Sequence, residues 1–299
     1  MTTYLDGLLA GARRRVDEAR AREPLEALRE RAREAPRGPA FREALAGSGV
    51  SVIAEVKRAS PSKGTIAADL NAPTQAAAYV AGGAAAVSVL TEPDQFAGNL
   101  LDLADVAALG VPALRKDFLV DPYQVWEARA AGAAAVLLIV AALDEPTLAL
   151  LHDEARAAGL DVLVEVHDAS EVAAATRIDA DVVGVNARDL RTFELDRDGF
   201  ARLRSQLADG VLAVAESGVR DAADVRRAAE EGADAVLVGE TLVRARDPRA
   251  AVVELVAAGA GRPTSGGSSD ATSDAGAERL ADGAARTDVA GRTDPSEQE

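Results

Sequence analysis

Eight short β-branched runs, each followed by a turn and an alanine-rich segment of helical spacing, recur between residues 50 and 259. They read "SVIAEV", "AAAVSVL", "VPALRKDF", "AAVLLIV", "DVLVEV", "DVVGVN", "VLAVAES" and "DAVLVGE". Strands this continuously apolar are buried on both faces, as in a parallel sheet covered by helices. The segments between them, such as "DPYQVWEARAAG" and "DEPTLALLHDEARAAG", open on Asp or Asp-Pro and close on Gly. That is the start and stop chemistry of helices. Eight strand–helix units in roughly 210 residues predict an α/β fold, a (β/α)8 TIM barrel. A doubly wound open sheet is the rival, but no Gly-rich dinucleotide fingerprint follows the first run.

The flanks differ from this rhythm. Residues 1–49 hold the charged segments "LLAGARRRVDEARAR" and "PLEALRERAREA", which predict a helical extension packed on a catalytic barrel of residues 50–259. Residues 260–299 contain Leu280 and Val289 as their only large apolar side chains. Such a segment cannot offset its ordering entropy by burial, and a disordered acidic tail is expected there.

Composition removes several function classes. Cysteine is absent, which excludes disulfides, thiolate catalysis and cysteine–metal sites. His152 and His167 are the only imidazoles and lie on different segments, so no metal site is expected. A net charge of −16 leaves no surplus of cations to displace counterions from nucleic acid. No apolar run approaches the roughly 18 residues of a membrane span, and the N-terminus lacks a secretory pattern. A cytoplasmic protein with neither nucleic-acid nor membrane partners is expected. The barrel segment alone carries −14, and only three of thirty-three basic residues are lysine. An acidic, arginine-rich surface fits a halophilic cytoplasm, where salt screens self-repulsion. A GC-rich genome is the rival reading of the same composition.

The three lysines sit where chemistry is expected, two of them at strand ends. Glu55 and Lys57 lie two apart at the end of the first run, so both point to one face, the lumen if Ile53 points inward. Lys116 ends the third run, Glu165 lies in the fifth, Asn186 ends the sixth with Arg188 two positions on, and Glu216 ends the seventh. These groups converge on the C-terminal rim, where barrel enzymes place their active sites. Charges buried in a lumen must compensate each other or bind something, and the pairs Glu55–Lys57 and Glu165–Lys116 are expected to do so. After the seventh and eighth runs, "ESGV" and "VGE" bring small residues ahead of helices expected near Arg220 and Thr241. Bare backbone amides there suit a phosphate.

The stretches "VIAEVKRASPSKG", "LRKDFLVDPYQVWEARAAGA", "LVEVHD", "VGVNARDL", "AESGV" and "LVGETL" closely resemble the indole-3-glycerol phosphate synthase family of tryptophan biosynthesis. The resemblance spans about residues 40–258, includes the helical extension, and does not reach the tail. It implies conversion of 1-(2-carboxyphenylamino)-1-deoxyribulose 5-phosphate into indole-3-glycerol phosphate with release of carbon dioxide and water, by a carboxy-lyase using no cofactor or metal. It implies a small phosphosugar substrate and a monomer, in weak association at most with other enzymes of that pathway. By the same resemblance Lys116 is the general acid, Glu165 acts in proton transfer during dehydration, and Lys57 beside Glu55 contacts a substrate anion. Asn186 belongs to the same catalytic set. Ser60, Phe118, Arg188, Glu216 and Ser217 match substrate-binding positions, and Gly218 and Gly239 match the phosphate-side loops. Ala187 and Glu240 stand where some members carry Ser or Asn, and Ser.

Elementary chemistry runs parallel to the resemblance. Arginine holds its proton too tightly to donate it, whereas lysine in an apolar site can be drawn towards neutrality. Lys116, flanked by Leu114 and Phe118 on one strand face, is expected to be such a lysine. Lys63, in the loop after the first run, is assigned no role. Other phosphosugar barrels remain as rivals. Phosphoribosylanthranilate isomerase would be expected to need a Cys/Asp pair, and a Schiff-base aldolase would need a reactive lysine that Lys116 could supply.

Overall fold

In the computed structural model, which describes residues 4–189 and 194–261, each of the eight runs is a strand. The strands are β1 (Ser51–Val56), β2 (Ala86–Leu90), β3 (Ala113–Lys116), β4 (Ala135–Ile139), β5 (Asp161–Val166), β6 (Val182–Asn186), β7 (Leu212–Glu216) and β8 (Ala235–Val238). They form a closed parallel barrel in chain order. Closure is made at β1, where Ile53 lies opposite Ala86 of β2 on one side and Leu237 of β8 on the other. The open-sheet alternative is thereby excluded.

Before the barrel come α1 (Tyr4–Arg22), α2 (Leu25–Glu34) and α3 (Phe41–Leu45). The connections between strands carry α4 (Ala72–Ala81), α5 (Pro93–Phe96), α6 (Leu100–Ala107), α7 (Pro122–Ala130), α8 (Glu145–Ala158), α9 (Ala169–Arg177), α10 (Gly199–Arg204) and α11 (Ala222–Glu230). After β8 follow α12 (Glu240–Arg244) and α13 (Pro248–Gly259). The start signals act as expected. Asp121, Asp144, Asp168, Asp221 and Asp247 each accept a first-turn backbone N–H of the helix they precede, worth about 1 kcal/mol per cap. The tail expected over 260–299 lies outside the described residues from residue 262 on.

Strand alternation sorts the side chains into two cores. Val52, Ala54, Val136, Leu138, Val164 and Val185 face the helices, while Ile53, Leu114, Leu137, Leu163 and Val214 fill the lumen. Two residues further along the same inward rows, the apolar filling gives way to Glu55, Lys116, Glu165 and Glu216. One period-2 pattern thus builds the floor of the barrel and aims charge at its mouth.

The N-terminal helices are attached at several levels. On α3, Phe41 and Leu45 join the lumen cluster, and the backbone N–H of Arg42 donates to Asp161, the first residue of β5. On α2, Arg29 stacks on Trp126 and pairs with Glu154, which also accepts from the Trp126 indole. At the other end of the barrel, Arg15 of α1 reaches Glu92, Asp94 and Asp117, so α1 is held against the loops after β2 and β3.

Candidate active site

At the C-terminal mouth lies a cavity of about 450 Å³, lined by residues from strand ends, the following loops and α1. Every residue singled out from the sequence, namely Glu55, Lys57, Ser60, Lys116, Phe118, Glu165, Asn186, Arg188, Glu216, Ser217, Gly218 and Gly239, contributes to its wall. Lys63, given no role, also lines it from an exposed loop position.

The charges are paired, once along β1 and twice across strands. Lys57 Nζ lies 2.6 Å from Glu55 Oε1. Lys116 Nζ lies between two carboxylates, 3.5 Å from Glu165 Oε2 and 3.6 Å from Glu216 Oε2. Glu165 and Glu216 are buried, whereas Lys116 keeps 16% of its side chain open to the cavity. The ammonium is held loosely, with room to approach a ligand atom.

The buried carboxylates of the lumen differ in their hold on a proton, and the excess proton sits on Glu216. Burial, with Glu165 adding to it against the opposing pull of Lys116, pushes Glu216 up to about 8. Burial also acts to raise Glu165, but Lys116, His167 and Asn186 outweigh it and hold Glu165 below the ordinary carboxylate range. At neutral pH Glu165 is therefore a carboxylate and Glu216 an acid. Consistent with this excess proton, Glu216 Oε1 is buried without a hydrogen-bond partner among the described residues.

The expectation for Lys116 is corrected here. Burial does pull its ammonium down, but Glu165, Glu216 and Glu55 together raise it above the ordinary lysine value. An apolar neighbourhood along β3 says nothing of carboxylates arriving from β1, β5 and β7. Lys116 is thus protonated at neutral pH, and its proton is in place before any ligand arrives.

The turns after β7 and β8 complete the mouth of the cavity. Ser217 and Gly218 both adopt left-handed backbone, φ 65° and 82°, a conformation uncommon for a serine. The Ser217 hydroxyl donates to Asn186 Oδ1 at 2.8 Å. The following helix starts at Ala222, within two residues of the expected Arg220, and Asp221 already accepts from the Ala223 and Asp224 amides. Those amides are unavailable to an anion. The start of α12 at Glu240 has no side-chain cap, and Ser217, Gly218, Val219, Glu240 and Thr241 line the cavity.

Two glycines have a physical reason that the sequence reading missed. A Cβ on Gly239 would collide with Glu55 Oε1 and crowd Lys57 Nζ, and a Cβ on Gly184 would collide with Glu216 Oε1. Gly239 makes room for the β1 ion pair, and Gly184 makes room for the protonated carboxyl. The glycine inside "DVVGVN" was a readable signal, because a strand-interior Gly marks a close approach. Tyr4, Leu5 and Leu8 of α1 also line the cavity, and no motif marked them.

Among the described residues no helix is long and apolar enough to cross a membrane. Likewise, no group of three His, Asp or Glu side chains among them has a geometry suited to a metal ion.

A closed eight-stranded barrel with paired lysines and carboxylates at its C-terminal mouth defines a (β/α)8-barrel enzyme. Solved structures with this fold include 3-hexulose-6-phosphate synthase from Salmonella typhimurium, with TM-score 0.58 and 15% identity, covering 70% of this chain and 98% of that one. Another is thiamine phosphate pyrophosphorylase from Pyrococcus furiosus, with TM-score 0.55 and 17% identity, covering 73% and 96%. At these identities the likeness is one of fold alone. The family description Indole-3-glycerol phosphate synthase matches residues 5–255, and the chain belongs to that family. It is 53% identical over 258 residues to indole-3-glycerol phosphate synthase 1 of Streptomyces coelicolor, covering 86% of this chain and 96% of the relative. It is 52% identical over 264 residues to the enzyme so named in Kineococcus radiotolerans, with the same coverage.

Proposed function

We propose that this chain closes the indole ring of indole-3-glycerol phosphate from 1-(2-carboxyphenylamino)-1-deoxyribulose 5-phosphate, with loss of carbon dioxide and water. Family membership over residues 5–255 supports this reading. The observation that carries the mechanism is the Lys116 ammonium set between Glu165 at 3.5 Å and Glu216 at 3.6 Å.

The product bears its new carbon–carbon bond on the ring carbon that carried the carboxylate, so that carbon attacks the ketone. The ketone oxygen gains negative charge as the bond forms, and Lys116 supplies the proton it needs. Loss of carbon dioxide returns the bonding pair to the ring and restores aromaticity. Departure of the new hydroxyl as water then requires one proton on oxygen, taken up from solvent to replace the charge lost with the carboxylate, and removal of another from the ring carbon beside nitrogen. Glu165, held as a carboxylate, is the base for that removal. It lies within 3.5 Å of Lys116, close enough to return the proton to the amine. Glu55 fixes Lys57 as a compact point charge for the substrate carboxylate, and Asn186 supports the Glu165 anion. Ser60, Phe118 and Arg188 complete the walls around the substrate. Ser217, Gly218 and Gly239 receive the phosphate.

In this reading residues 50–259 are the catalytic barrel, residues 1–49 wall its mouth and floor, and the enzyme works as a cytoplasmic monomer on a free phosphosugar. The charged state of Lys116 speaks against a Schiff-base aldolase, which needs an unprotonated amine as nucleophile. The test is direct. Purified protein given the carboxyphenylamino sugar phosphate should develop indole fluorescence in the presence of a chelator, and borohydride should trap no adduct on Lys116. No fluorescent product, or a trapped adduct, overturns the reading.

A further inference from the structure

Glu165 has a second basic neighbour that the mechanism above does not use. His167 follows β5 immediately, two residues beyond Glu165, so both side chains point to the barrel mouth. The His167 ring is 14% exposed, and its Nε2 lies 3.4 Å from Glu165 Oε1. That nitrogen is buried and makes no hydrogen bond. The opposite face of the imidazole is anchored, with Nδ1 3.1 Å from Glu171 Oε2. The same carboxylate oxygen accepts the His167 backbone N–H at 2.7 Å. Glu171 is itself fixed in the first turn of α9, where its backbone N–H donates to Asp168. The two oxygens of Glu165 thus face two different basic groups, Oε2 towards Lys116 and Oε1 towards His167.

We infer that His167, braced by Glu171, is a positioning residue for Glu165: it balances the carboxylate from the side away from Lys116 and keeps Glu165 ionised as the base. This inference rests on the proposed role of Glu165 and adds a residue to it. Asp168 caps α9 through Ser170 and Glu171, and the Glu171 carboxylate closes the same turn by accepting the His167 backbone N–H while its oxygen also holds the imidazole. The charged groups around His167 are Glu165 on β5, Asp168 and Glu171 at α9, Glu216 on β7 and, beyond Glu165, Lys116 on β3. Burial disfavours the imidazolium, but Glu171, Glu165 and Glu216 outweigh it and raise His167 above its ordinary value. A positive imidazole within 4 Å of a buried carboxylate favours the anion.

The sign of the effect follows. Turnover is lost at low pH as Glu165 takes a proton. Without the imidazolium that proton binds more easily, so the acid limb moves to higher pH. His167→Gln keeps an amide near the Nε2 position without charge and should shift the acid limb of kcat upwards by about one pH unit. At high pH, where the parent imidazole is neutral too, the two profiles should converge. Glu171→Gln should give a smaller shift in the same direction, because His167 then loses its proton earlier. A purely structural role would lower kcat by one factor at all pH values.

The experiment measures kcat against pH for the parent, His167→Gln, Glu171→Gln and Glu165→Gln. It adds imidazole nitrogen NMR on the parent, whose two histidines make assignment simple. Superimposable acid limbs for the parent and His167→Gln overturn the inference. So does a neutral His167 at pH 6.5 in the parent, a result that needs no variant to fold. Undiminished turnover in Glu165→Gln would instead overturn the role of Glu165 on which the inference rests.

Discussion

Arg115 and Lys116 are adjacent on β3 and occupy opposite sides of the barrel wall. Arg115 points outward, and its buried guanidinium donates to Thr91 at 3.2 Å, the Gln124 carbonyl at 2.7 Å, Asp117 at 3.1 Å and Glu127 at 3.2 Å. Those partners tie β3 to the end of β2 and to α7. Lys116 points inward and touches its two carboxylates only at 3.5 and 3.6 Å. The arginine is held by four hydrogen bonds; the lysine is charged, held at longer range and open to a cavity. One step along a strand separates a cation used for cohesion from a cation used for proton transfer. The chemistry of the two side chains matches the division, since a planar fork suits several fixed acceptors and a point charge suits one moving partner.

The comparison can be broken from the outward side. Arg115→Met would strip the buried Asp117 carboxylate of its closest cation, and removing one member of such a network costs about 3–5 kcal/mol. Unfolding free energy should fall by that order, while kcat of the folded fraction stays within a few-fold of the parent. Intact stability with collapsed turnover would reverse the roles assigned to the two residues.

A smaller effect separates Glu216 from the other lumen carboxylates. Its folded value, about 8, lies above that of the unfolded chain, so folding retains a proton that unfolding releases. Stability from this source therefore falls as pH rises from the ordinary carboxylate range to about 8, by at most about 1.4 kcal/mol per pH unit. Glu216→Gln removes that slope. Its unfolding free energy relative to the parent should rise from pH 5 to pH 8, and a constant difference would mean that Glu216 is ionised in the folded state. The smallest effect concerns the exterior. With a net charge of −16, melting temperature and activity should rise modestly from low salt towards molar KCl. A flat or falling profile removes the saline reading of the composition.

The barrel was legible because its signal is local and repeated. Each β-branched run carries its own strand propensity, and each Asp before a helix caps that helix. Glu55, Lys116, Glu165 and Glu216 were legible for the same reason, since period-2 spacing beyond Ile53, Leu114, Leu163 and Val214 puts them in the lumen. What escaped were sums over distant positions. The sequence pairs Lys116 with Glu165, but Glu216 and Glu55, which also keep it protonated, come from β7 and β1, and no window around "LRKDF" contains them. Gly239 looked like a phosphate loop residue, yet its lack of a side chain also makes space for Glu55, which is nearly two hundred positions away. The α1 wall of Tyr4, Leu5 and Leu8 was hidden because an amphipathic stripe states that a helix packs, not what it packs on. Arg115 went unremarked in the sequence because arginine is so common in this chain that one more carried no signal.

The most direct test of the central claim is the ratio of turnover to ligand affinity in Lys116→Arg. The substitution keeps the charge between Glu165 and Glu216 but spreads it over a planar guanidinium, which cannot bring its proton to the ketone oxygen as a compact ammonium does. Turnover should fall by about 10²-fold or more, with circular dichroism unchanged and the dissociation constant of a phosphate-bearing product analogue shifted far less. Full turnover in a folded Lys116→Arg enzyme would contradict the assignment of the lumen lysine as the proton donor.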